Sequence, residues 1–280
     1  LNPPASGSKK ISPDNASGFA RGRLEVVLTY PDCGVITISV SDSESPERTG
    51  TSSQLLFLPA GFEVSAENLQ TVSKPFRLLI TANNAQGEIT PNYYSPVSLY
   101  PVAVSPKEIP EAKLSPETIL TDEFEGGVVA VKTSYNLYGK IKIRAEDTNA
   151  PTKQGLSNEL NFLPKGLSID VEAPPSGREF FYIGEPINIT LKIEDEDDKP
   201  ISNYPGVVEL ISSLGLGLPS EHTFTNKDAG SHKFVANPTQ AGEYTLVAKA
   251  EEGRLREESP VIKVKNAFLQ VIDTTSPIGS

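Results

Sequence analysis

The sequence predicts an all-β chain made of tandem β-sandwich domains. Apolar and polar residues alternate over short runs, Gly, Pro, Asn and Asp bound those runs, and whole blocks of the pattern recur along the 280 residues. Phe76, Leu78 and Ile80 share one strand face, as do Ile187, Ile189, Leu191 and Ile193. Val26 with Leu28, Val129 with Val131, Ile141 with Ile143, and Tyr244 with Leu246 extend the pattern. No segment sustains a helical period, although "LSPETILTDEF" (Leu114–Phe124) allows one short helical turn.

The repeat sets the organisation. Phe19 falls on Phe124, Gly22 on Gly127, Tyr30 on Tyr135, Gly34 on Gly139, and Ile36 and Ile38 on Ile141 and Ile143. "KISP" (Lys10–Pro13) answers "KLSP" (Lys113–Pro116) at a slightly different spacing. A weaker third copy places Gly230 and Gly242 in the slots of Gly127 and Gly139. The other halves repeat too: Lys74–Leu99 answers Glu185–Leu210, with Asn92-Tyr93 on Asn203-Tyr204. About seven strands in each such stretch is the count of an immunoglobulin-like sandwich. The expected fold is therefore a row of immunoglobulin-like β-sandwich domains forming an extended rod.

The repeat phase gives the expected boundaries. Leu1-Asn2-Pro3 resembles Leu99-Tyr100-Pro101, so residues 1–58 read as the C-terminal half of a domain. Complete domains follow at 59–163 and 164–265, and "NAFLQVID" opens 266–280 as a first strand of a following domain or a tail. The joints are "FLPAGF" and "FLPKGL". Phe57 and Phe162 close a strand there. Pro59 and Pro164 lack the N–H that a ladder needs and keep the preceding residue extended. Gly61 and Gly166 are expected to permit the turn into the next domain.

Bulk properties narrow the function. A net charge of −11 and a pI near 4.8 disfavour a phosphate backbone as partner. One cysteine, Cys33, permits no internal disulfide and leaves a free thiol or an intermolecular bridge. No apolar run approaches the ~18 residues of a membrane span.

"HTFTNKDAGSHKF" and "AGEYTLVAKAEE" resemble the bacterial extracellular Ig-like repeats of long surface proteins. "TGTSSQLLFLPAGFEV" with "KPFRLLITANNAQGEITPNY" is similar to repeats of accessory proteins of mannose-sensitive haemagglutinin type IV pili, and to invasin-like and S-layer Ig modules. In "AGEYTL" a Gly precedes a Tyr at the sheet corner, and Leu246 stands where such domains carry a disulfide cysteine. The resemblance implies an exported chain at the bacterial cell surface, with no catalytic residues to transfer. The expected role is a non-enzymatic structural segment: a stalk, S-layer or pilus-associated filament. Expected partners are other copies of the chain or neighbouring surface proteins. The alternative is an adhesin module that binds a glycan or a host protein directly, with Tyr93, Tyr94 and Tyr100 as the aromatic candidates, Tyr93 already reading as structural.

No cofactor is expected. The acidic run Glu194, Asp195, Glu196, Asp197 and Asp198 offers hard oxygens suited to Ca²⁺, but its spacing matches no EF-hand loop and a solvated turn is the simpler reading. Asp42, Glu146 and Asp147 lie near a related loop. His222 and His232 are the only histidines; without a Cys or third His, zinc is weakly supported and a structural role is expected. Asp122 and Glu123 form a paired acid with no nucleophile beside it. Asn15 and Asn188 head N-glycosylation triplets.

Overall fold

The computed structural model describes residues 21–42, 45–212 and 216–267. Among them there is no α-helix; only short 3-10 turns interrupt the strands, one of which, Thr121–Glu123, is the turn expected within Leu114–Phe124. The chain divides into two compact units. One holds the residues up to Gln70 together with Lys74–Phe162, and the other holds Thr71–Ser73 and the residues from Leu163 onward. The described residues before Pro59 thus group with the first unit. Lys10–Pro13, Asn15, Phe19 and most of "NAFLQVID" lie outside the described residues.

In the first unit, Phe76–Asn83 runs antiparallel between Gly61–Ser65 and Val128–Tyr135, and Leu114–Ser115 flanks the latter. The second sheet sets Gly139–Asp147 between Val97–Ser105 and Leu160–Leu163, with Thr118–Ile119 on one edge and Leu69–Thr71 on the other. Alternation turns Leu78, Ile80 and Val129 from one sheet, and Ile141, Ile143 and Leu160 from the other, into one core. Burying each such side chain stabilises the unit by about 1.5–3 kcal/mol. Phe162 packs on Tyr135 and Phe76, with ring centroids 4.8 and 5.5 Å away, and Tyr93 fits between Phe62 and Phe124 at 5.3 and 4.9 Å.

The second unit repeats the plan. Ile187–Glu194 lies between Gly166–Val171 and Ser231–Ala236. Opposite, Val207–Ser212 pairs with Glu221–Thr223 and Leu246–Ala250, and Leu255–Glu258 follows. Ile262–Lys265 pairs antiparallel with Gly242–Tyr244 and parallel with Phe181–Tyr182. The Tyr244 hydroxyl donates to the Gln240 carbonyl at 2.7 Å, and Leu246 is buried where a disulfide would otherwise sit. This is the tyrosine corner of immunoglobulin-like sandwiches, and packing replaces the bridge.

The repeat survives in strand register. Gly34 pairs with Phe57, Gly139 with Phe162, and Gly242 with Val264. Val40 faces Gly50 as Ala145 faces Gly155. A serine recurs beside these pairs with the same bonds each time. Ser52, Ser157 and Ser259 accept from the amides of Ile38, Ile143 and Leu246 at 2.9, 2.8 and 3.0 Å. Each serine hydroxyl then donates to the carbonyl of the next residue. Gly127 and Gly230 hold φ of 81° and 76°, and a Cβ there would lie 2.4 or 2.5 Å from the carbonyl oxygen of Thr90 or Ile201. Both the conformation and the close approach demand glycine.

Two expectations need correction. Val26 and Leu28 lie outside the strands, and Val26 is exposed, because residues 24–30 have no ladder partner among the described residues. Gly61 and Gly166 do not make turns. Each begins a strand, and neither has positive φ. Gly61 is instead constrained by space, since its Cβ would lie 2.8 Å from the Gln154 carbonyl oxygen; Gly166 meets only the Glu194 side chain, at 3.9 Å.

Candidate functional site

The joint residues occupy strand ends. Leu55–Phe57 and Leu160–Leu163 are the strands that "FLP" closes, Phe162 is fully buried, and Pro59 and Pro164 are buried directly after them.

The acidic run does not converge. Asp195 is buried, and its Oδ1 accepts the amides of Asp197 and Lys199 at 2.9 Å each, so it builds the turn. Asn84 does the same in the first unit, accepting the amides of Gln86 and Glu88 at 3.0 Å. Glu194 accepts from the Ser168 hydroxyl, Asp197 pairs with Lys199, and Asp198 pairs with Lys165 at 2.9 Å. These carboxylates point to separate partners, as a solvated turn requires. Asp42 pairs loosely with Arg48 and Glu146 with Arg144. Glu123 accepts the Leu120 amide at the start of its 3-10 turn, which employs one member of the acid pair.

Asp147 is a buried organiser. Its carboxylate accepts the Tyr93 and Ser95 hydroxyls at 2.8 and 2.9 Å and the amides of Asn149 and Ala150. Burial and this anion push the Tyr93 hydroxyl far above its usual pKa. A shallow hollow among Phe57, Pro59, Tyr93, Tyr94 and Asn149 opens beside it. Tyr93 is thus structural, whereas Tyr94 and Tyr100 are 38% and 40% exposed, and Arg144 lies over the Tyr100 ring. Cys33 is 3% exposed, and burial pushes its thiol up to about 11. A bridge to another chain, one of the two expected fates, would need a surface thiol, which this is not. Asn188 is the second residue of the strand Ile187–Glu194, with its side-chain amide donating to Glu172 at 2.7 Å.

The two histidines come together, and with them Asp228, which sequence spacing did not reveal. His222 is the middle residue of the edge strand Glu221–Thr223 in one sheet, and His232 lies on Ser231–Ala236 at the edge of the other. Their rings stack at 3.7 Å between centroids with an interplanar angle of 29°. Asp228, on the connecting turn, sets Oδ1 2.6 Å from His232 Nδ1 and 3.5 Å from His222 Nε2. Its Oδ2 accepts the amide and hydroxyl of Thr225 at 2.8 and 2.9 Å. Phe224 makes a T-shaped contact with the His222 ring, and Phe234 makes one with each imidazole. Among the described residues, these three are the group of His, Cys, Asp and Glu whose ligand atoms lie within 4.8 Å of one another.

No family model matches the chain. By sequence, 247 residues covering 87% of it are 22% identical to the inverse autotransporter adhesin YeeJ of Escherichia coli K12. The chain is similar to part of a bacterial adhesin. It spans 10% of that relative's length. Among solved structures, invasin, described as a bacterial integrin-binding protein, matches at 14% identity and a TM-score of 0.41, over 74% of this chain and 39% of that one. The D0-D1 domain of intimin matches at 18% identity and a TM-score of 0.29, over 72% and 97%. The resemblance to bacterial surface Ig-like repeats read from the sequence agrees with the adhesin relative.

Proposed function

We propose that the chain is a non-enzymatic structural segment of a bacterial cell-surface protein, in which immunoglobulin-like units follow one another as a rod that spaces or displays other parts. The observation that supports it is what the repeat preserves. The strand registers, serine bonds and constrained glycines that build a sandwich recur, whereas the groups able to recognise a ligand do not. A module copied for its frame and free to vary elsewhere is a spacer. Partners under this reading are neighbouring surface proteins or further copies of the chain. Single-molecule stretching tests it: like-sized units should unfold in evenly spaced steps, and a single cooperative event would overturn the array.

A second reading, direct adhesion to a glycan or protein, is favoured by the adhesin relative and by exposed Tyr94 and Tyr100. Replacing both by Ala should abolish binding to a receptor-bearing surface if this reading holds. Unchanged binding would remove these tyrosines from it.

A further inference from the structure

We propose that His222, Asp228 and His232 form a site for one divalent transition-metal ion of the zinc class, which clasps together the edges of the two sheets of the second unit.

The placement is that of a built site. Each sheet contributes one histidine from its edge strand, and the short connection between them supplies the carboxylate. Thr225 holds one carboxylate oxygen, so the other is aimed at both imidazoles. Carboxylate ligands are oriented in this way by outer partners. Phe224 packs on the His222 ring, and Phe234 packs on both imidazoles. His222 Nε2 is cut off from solvent, and the Asp228 oxygen 3.5 Å away is not placed to make a good hydrogen bond with it. A buried nitrogen left unpaired is destabilising, and a metal ion at that position would satisfy it.

Two edges of the triangle suit such an ion, and the imidazoles, stacked at 3.7 Å and 29°, would turn about their side-chain bonds to aim both nitrogens at it. Bonds of about 2.0–2.1 Å in tetrahedral geometry set ligand atoms roughly 3.3 Å apart. The His222 to Asp228 edge is already 3.5 Å. The His232 to Asp228 edge, at 2.6 Å, is held by a hydrogen bond whose proton the ion would replace. Two imidazoles and one carboxylate select zinc, copper or nickel over calcium or magnesium. Three protein ligands leave a fourth position for water or a donor from another molecule.

The fold does not require these residues. His232 faces Leu191 across the ladder as Val129 faces Ile80 in the first unit, and Val129 is buried in that slot. Phe224 packs on Tyr204 as Phe124 packs on Tyr93. One unit therefore closes this edge with a valine and the other with a His-Asp-His cluster.

The test uses the untagged full chain, stripped with EDTA and titrated with ZnCl₂ by isothermal calorimetry, with the melting temperature followed in parallel. One ion should bind per chain and raise the melting temperature. His232→Val, which installs the residue of the sister slot, and His222→Gln should each weaken association by about 100-fold or more. In the wild-type chain, zinc should shift the imidazole nitrogen resonances of His222 Nε2 and His232 Nδ1 together, a readout that stands even if a variant fails to fold. Absence of saturable binding up to about 1 mM zinc, unshifted imidazole nitrogens, or undiminished binding by a folded His232→Val variant overturns the proposal.

Discussion

Replacing Ser157 by Ala removes one hydroxyl and two hydrogen bonds. Ile143 is fully buried, so its amide, which donates to Ser157 Oγ at 2.8 Å, would find no water in exchange. An orphaned buried amide costs about 1–3 kcal/mol, and about 2 kcal/mol is expected here. In a unit of this size that is a fall of roughly 4–8 °C in Tm. Ser259→Ala should cost the same, because Leu246 is 1% exposed and makes the equivalent bond. Ser52→Ala is the internal control. Its partner Ile38 is half-exposed, so water replaces the lost bond and the cost should stay near ~0.5 kcal/mol. Scanning calorimetry on the three variants, with urea unfolding as a second measure, gives the comparison. Equal costs at all three serines would refute the burial argument. Costs below ~0.5 kcal/mol at both buried sites would refute the role of the serine itself.

Gly127→Ala and Gly230→Ala should each destabilise by about 2 kcal/mol or more in urea unfolding, since both the left-handed backbone and a carbonyl in contact oppose a side chain. Gly87→Ala shares the conformation but meets open space, and should cost about 1 kcal/mol. Asp195→Ala should lose about 1–2 kcal/mol, Asp195→Asn much less because Asn84 builds the same turn, and Asp198→Ala under ~0.5 kcal/mol. Cys33, buried and with its thiol pushed up to about 11, should react with iodoacetamide at pH 8 roughly 100-fold more slowly than in the urea-unfolded chain. Equal rates would place the thiol at the surface.

Much of this fold was legible because its signals are local and repeated. Alternation identified the core faces of Phe76–Asn83 and Ile187–Glu194, and the spacing of Gly139 and Gly242 located equivalent ladder positions. Gly127 and Gly230 repeated visibly, but the carbonyl that each must accommodate comes from a distant loop and leaves no local mark. The misreading of Gly61 has the same origin: a glycine before a strand looks like a turn, whereas here the Gln154 backbone limits its space. Ser52 lies within "TGTSSQLLFLPAGFEV" and Ser157 in the matching slot of the next copy, but a side-chain bond to a distant amide has no periodicity and leaves no mark in the sequence. The acidic run drew attention by density, yet its one buried member, Asp195, was the residue aligned with Asn84 in a turn. The His-Asp-His cluster was hidden for a topological reason. His222 and His232 belong to different sheets, and only the packing of those sheets brings their edges together.

The first strand of the second unit is split between its sheets: Gly166–Val171 joins one, and Phe181–Tyr182 runs parallel to the last strand, Ile262–Lys265, in the other. Tension applied through the two ends of the unit pulls those parallel neighbours lengthwise past each other. Their backbone bonds, with the Ile183 amide donating to the Lys265 carbonyl at 3.0 Å, are then loaded together in shear instead of being unzipped singly. A short pair of strands, minor in the energetics of folding, becomes the latch that sets the force at which the unit yields.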